Sequence, residues 1–113
     1  MPATTTQPDT NLYGRNIDNA NLTSFNLTGA VLIEANARGT VFYRTNLTEA
    51  DMEDADLTGA DLRDAKLVSA NVCGVCFDGA DLDGADFTDA IYNAETVWPE
   101  GFSPSAAGAV LVF

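Results

Sequence analysis

The chain has 113 residues, with 17 acidic and 5 basic side chains, two cysteines and no histidine, for a formal net charge of −12. That length suits one domain, and the negative balance argues against direct binding of nucleic-acid phosphates. Without histidine the commonest general base and the usual catalytic triads are missing, so a non-enzymatic protein is expected.

In chain order, residues 1–9 contain Thr, Pro and Gln and no apolar run. They resemble neither a signal peptide nor a membrane span. They read as a flexible arm, and a cytoplasmic location is expected.

From about Thr10 to Tyr92 a five-residue repeat runs without losing register. Every fifth residue from Leu12 to Tyr92 gives 17 positions, of which 15 are Leu, Ile, Val, Met or Phe. Two residues before each lies a column that is Ala at 11 of 17 places, and between the two lies Asn or Asp at 12 of 17. A period of five fits neither the three-and-four spacing of a helix nor the alternation of a strand. The economical solution is a coil that turns a corner every five residues, with the large residue and the Ala both pointing inward. Four sides close a square, so one coil takes about 20 residues and coils stack as in a solenoid. At ~4.8 Å per coil the seventeen pentads make roughly four coils and a rod about 20 Å long.

Residues twenty apart then form interior ladders, such as Leu22, Phe42, Leu62, Leu82 and Leu27, Leu47, Leu67, Phe87. One corner column reads Asn19, Gly39, Gly59, Gly79, types that tolerate positive φ. Arg15, Phe25, Thr40, Thr45 and Val75 replace the small inward residue, and Ala37 the large one. Phe25 or Phe42 is expected to fill the space near Ala37, with local distortion of the second coil.

Units such as Ala50-Asp51-Met52-Glu53-Asp54 and Ala80-Asp81-Leu82-Asp83-Gly84 resemble the pentapeptide repeat family. The resemblance implies an all-β chain, a right-handed quadrilateral β-helix of about four coils over residues 10–94, with a short C-terminal cap over 95–113. Thr96-Val97-Trp98-Pro99-Glu100-Gly101-Phe102 is similar to the end of small cyanobacterial members. The resemblance carries the fold but no particular activity.

Solenoids need caps over their last coil, and Trp98 and Phe102 are expected to form one. Ser103-Pro104 reads as a helix start, predicting one or two turns over Ser105 to Val110. The apolar end Val110-Leu111-Val112-Phe113 must pack on the rod or on another chain.

Three features bear on function. Acids crowd residues 49–89, which hold twelve against Arg63 and Lys66. Asp51, Asp56, Asp61, Asp81 and Asp86 would form an acidic surface able to mimic DNA. Quinolone-resistance members of the resembled family share this character and act on DNA gyrase. A ~20 Å rod spans only some six base pairs, unless two copies join end to end as a homodimer. The plainer reading is that these acids hydrogen-bond the corners and keep the rod soluble.

The second feature is an outward apolar cluster of Tyr13, Val31, Ile33, Val41 and Tyr43, where the repeat is otherwise mostly polar, which suggests a contact patch for another protein. The third is Cys73-Gly74-Val75-Cys76, a possible redox pair. With no second CxxC, no histidine and diverging side chains, two free thiols are expected. No metal, cofactor or membrane partner is predicted, since the sequence has no Asp-x-Asp-x-Asp-Gly loop. The expected role is a protein-interaction module, with inhibition of a DNA-binding enzyme by charge mimicry as the alternative.

Overall fold

In a computed structural model, residues 10–112 are described; the N-terminal arm of residues 1–9 and Phe113 lie outside them. Parallel bridges join residues twenty apart without interruption from Asn11↔Val31 to Asn71↔Ile91. The chain is a right-handed quadrilateral β-helix, and among the described residues no α-helix forms.

Each pentad places its backbone hydrogen bonds in the same way. The pentad centred on Leu62 shows the rule. Asp61 N donates to Thr40 O in the coil before, while Leu62 N and Asp64 N donate to Asp81 O and Asp83 O in the coil after. Ala65 N donates back to Leu62 O and closes the corner. One donor is left over, the N–H of the residue just after the central one. The Asn/Asp column takes it: Asp61 Oδ1 accepts from Arg63 N at 3.1 Å, as Asn46 does from Thr48 N and Asp86 from Thr88 N. The repeat needs Asn or Asp there because every backbone donor wants a partner.

The corner residue has positive φ in every pentad from Gly14 to Asp89, and not only in the Asn19–Gly79 column. Ser24, Glu34, Arg44, Asp54 and Ser69 adopt it at φ between 58° and 63°. For a non-glycine residue this conformation costs roughly 1–2 kcal/mol. Closing the square imposes it whatever the side chain.

The interior is filled. Phe42, Phe77, Phe87 and the central leucines Leu32, Leu47, Leu57, Leu62 and Leu67 are fully buried with the Ala column between them. Thr40 and Thr45 are buried too, and their hydroxyls donate to Ile17 O and Leu22 O at 2.7 Å. Of the two aromatics expected near Ala37, Phe42 is buried, but Phe25 is 50% exposed. The expected distortion is absent, because Asn36↔Asp56 and Val41↔Asp61 keep the common register. Phe25 lies at the open N-terminal end beside Leu12, Ile17, Leu22 and Leu27.

The cap continues the coil path with a slip. Val97 pairs with Cys76 at a separation of 21. The chain then leaves the ladder at Pro99, turns with Phe102 N donating to Pro99 O, and rejoins where Asp89 N meets Gly108 O. It ends in β2 (Val110–Leu111), parallel to β1 (Ile91–Tyr92). Trp98 lies between Phe77 and Phe102, stacked on both at 4.9 and 5.1 Å, and edge-on to Phe87 and Tyr92. The expected helix reduces to one turn: Ser103 Oγ accepts from Ala106 N, and Gly108 at φ 89° ends it. Four residues between cap and stop are too few to propagate a helix.

Candidate functional site

The five apolar candidates do not form one patch. Ten residues along the chain carry it two sides round the square, so Val31 and Val41 face opposite ways. Tyr13, Val31 and Ile33 share one side, and Val41 and Tyr43 the opposite one. On the first side Tyr13 is 55% exposed and the other two half-buried.

On the opposite side Tyr43 is sandwiched between cations. The guanidinium carbons of Arg44 and Arg63 lie 5.3 and 4.9 Å from its ring centre. Arg63 is held in place by Asp61, donating from Nε at 2.9 Å and from Nη2 at 2.8 Å. That bond holds the Asp61 carboxyl below the usual carboxylate range. The i+20 stacking rule was enough to place Arg63 beside Tyr43, although the sequence reading did not use it so.

Both sides share a backbone defect. Val31 and Val41 stand where Asn or Asp would accept the leftover amide. Among the described residues, the N–H groups of Ile33 and Tyr43 therefore have no acceptor. The same substitution at Lys66 and Cys76 frees the amides of Val68 and Asp78. At Asn36 a neighbour substitutes instead. Arg38 N donates to Asp18 Oδ1 of the coil before, and Arg38 also ion-pairs with Asp18 at 2.7 Å. The Arg38 bonds hold the Asp18 carboxyl low.

The acidic candidates are spread over all four sides. Asp51, Asp56 and Asp86 occupy one each, and only Asp61 and Asp81 share a side, as bridge partners. Each of the five accepts its own pentad's leftover amide, with Glu53, Thr58, Arg63, Asp83 and Thr88 as donors. The Thr88 hydroxyl also bonds Asp86 and holds its carboxyl below the usual range.

Cys73 and Cys76 are free thiols. Cys73 is buried, where the Asn93–Thr96 turn bonds the adjacent Gly74 N. Burial pushes its thiol up, and Glu53, Asp51 and Asp54 add to the shift. Cys76 Sγ lies 3.4 Å from the Thr58 hydroxyl. The Cys73 position disfavours a thiolate. Among the described residues there is no cluster of acids and cysteines suited to a metal, and no helix is long and apolar enough to cross a membrane.

The sequence matches the family described as pentapeptide repeats, in eight copies over residues 9–40, 26–64 and 65–91. Comparison with curated proteins gives no match. Among solved structures the chain is similar to Rfr23, a pentapeptide repeat protein from the cyanobacterium Cyanothece 51142. The identity is 30% and the TM-score 0.79, over 80% of this chain and 62% of that one. It is also similar to HetL from Nostoc sp. strain PCC 7120, a pentapeptide repeat protein involved in heterocyst differentiation regulation, at 24% identity and TM-score 0.62 over 86% and 52%. A third is QnrB1, a plasmid-mediated fluoroquinolone resistance protein, at 23% identity and TM-score 0.61 over 77% and 52%. The last two likenesses speak for the fold alone. The chain spans about half to two thirds of the length of these relatives.

Proposed function

We propose that this chain, which belongs to the pentapeptide repeat family, is a non-enzymatic protein-interaction module whose second coil makes the contact. The supporting observation is the pair of unclaimed amides at Ile33 and Tyr43, each flanked by outward apolar side chains. Each missing hydrogen bond costs on the order of 1 kcal/mol. A partner that supplies an acceptor and covers Val31–Ile33 or Val41–Tyr43 recovers that stability on binding. Tyr43, clamped by two guanidiniums, is also the kind of pre-ordered aromatic that anchors interfaces.

Charge mimicry of nucleic acid is the competing reading. The distribution of the five acids round the rod, with Asp61 neutralised by Arg63, gives it little support. Capture from the source cell's lysate at low and high salt separates the two readings. The interaction reading expects a partner retained at high salt and lost with Ile33→Asp or Tyr43→Asp. Because the two residues face opposite ways, the single variants also tell which side is used. A partner lost at high salt and kept by both variants would transfer the role to the acidic surface.

A further inference from the structure

The fourth coil ends in an open backbone edge. In the coil below, Leu62 N and Asp64 N donate forward to Asp81 O and Asp83 O, and Ala60 O accepts from Asp81 N. One coil on, the equivalent groups are Leu82 N, Gly84 N and Ala80 O. Among the described residues none of them has a partner, and neither do Gly79 N and Phe87 N on either side. The cause is the cap. Pro99 brings no donor, and the Glu100–Gly101 turn carries the chain away until Gly108. Between edge and cap lies an open groove of about 630 Å³, with Leu82, Pro99 and Phe102 in its walls. Leu82 is 8% exposed where Leu62 is 0%.

We infer that this edge and groove receive an extended, lysine- or arginine-bearing segment of a partner protein, added as one more parallel strand. A free edge offers both main-chain donors and acceptors and so recruits a strand. Alternation then fixes the partner's chemistry. Side chains turned inward meet Leu82 and Phe102 and are apolar. Those turned outward meet Asp81 and Asp83, with Asp78, Asp86 and Glu100 close by in sequence, and are basic. Arg63 and Lys66 in the coil below are the basic residues that face Asp81 and Asp86, and no basic residue follows Lys66 to balance Asp78, Asp83 and Glu100. The same charge disfavours a second copy of this chain, whose edge would bring its own acids against them.

The site lies two coils from Tyr43 on the same side of the rod and stands or falls separately from the second-coil surface. The probe is a labelled Val-Lys-Val-Lys-Val-Lys-Val peptide with blocked ends, followed by fluorescence anisotropy and by amide hydrogen exchange of the full chain. The peptide is expected to bind and to slow exchange at Leu82 and Gly84 about tenfold. The Asp81→Asn/Asp83→Asn variant, which keeps the side-chain acceptors of the repeat, is expected to weaken binding about tenfold. Alternate backbone N-methylation should abolish it, and Ile33→Asp and Tyr43→Asp should leave it unchanged. Exchange unaltered at those two amides overturns the inference, whether or not the peptide adheres elsewhere. Protection that appears without peptide and grows with protein concentration also overturns it, by assigning the edge to a second copy.

Discussion

Trp98 lies flat on Phe77, with ring centres 4.9 Å apart and planes inclined by 13°. Through this contact the cap seals the last coil. The Trp98 Nε1–H is buried there and, among the described residues, has no acceptor. Trp98→Ala should cost about 3 kcal/mol in urea denaturation. Trp98→Phe should cost less than about 1 kcal/mol, because it removes an unpaired buried donor along with some apolar area. Equal losses for the two variants would mean that the indole nitrogen is satisfied in solution.

The leftover amide gives a two-way test. Lys66→Asn supplies an acceptor for Val68 N and should stabilise the protein by about 0.5–1 kcal/mol, whereas Asn46→Ala removes one from Thr48 N and should cost about the same. Shifts of the urea midpoint in opposite directions, with unchanged slope, are the expected readout.

Corner strain is testable at two glycines. Gly59 has φ 68° and open space where a Cβ would go, so Gly59→Ala should cost about 1 kcal/mol from backbone strain alone. At Gly108, φ is 89° and a Cβ would come within 3.2 Å of Thr88 Cα, so Gly108→Ala should cost more. The two thermal midpoints should rank accordingly.

Asp86 carries a pH signature. Its folded pKa lies below the ordinary carboxylate value because the Thr88 hydroxyl and amide favour the charged form. Its charge therefore stabilises the fold above the unfolded pKa, near 3.9, and that contribution disappears as pH falls through the folded value. Asp86→Asn keeps the acceptor and loses the charge. The variant should be less stable than the parent at pH 7, and the gap should close below about pH 4. A gap that persisted in acid would point to packing instead.

The thiols should differ in reactivity. Cys76 is part-exposed and Cys73 is buried with its pKa raised. A disulfide-exchange reagent at pH 8 should titrate Cys76 first and reach Cys73 only on unfolding. Simultaneous modification of both in native buffer would contradict this geometry.

The core was legible because burial and stacking follow one rule, in which the residue at i covers the residue at i+20. Leu62 over Phe42 could be read from spacing alone, as could Trp98 and Phe102 as the seal. Two outcomes could not be read so. Positive φ at Glu34 or Arg44 opposes local preference and is imposed by ring closure. The exposure of Phe25 goes with its place at the open N-terminal end beside Leu12, Ile17, Leu22 and Leu27. At the surface, spacing identified the outward cluster, but treating it as one patch overlooked that ten residues amount to half a circuit. The open edge at Leu82 arises where Pro99 and the Glu100–Gly101 turn take the chain off the coil path; Pro99 and Gly101 announce a break, but which backbone groups it leaves bare depends on the path of the cap.

The uniform corner has a consequence for how such a rod varies. From Gly14 to Asp89 every five-residue block turns its corner in the same conformation. Removing one block mid-rod would keep large residues and Ala pointing inward, and the core would close again. Everything downstream would then be turned by a quarter circle about the long axis. The groove beneath Leu82 would swing round relative to Tyr43 while both stayed chemically intact. Deleting a whole coil would instead restore their alignment and bring them one coil closer. Insertions and deletions in this fold thus act as settings of angle and distance between surfaces, and can re-aim the molecule's contacts without changing a residue that makes them.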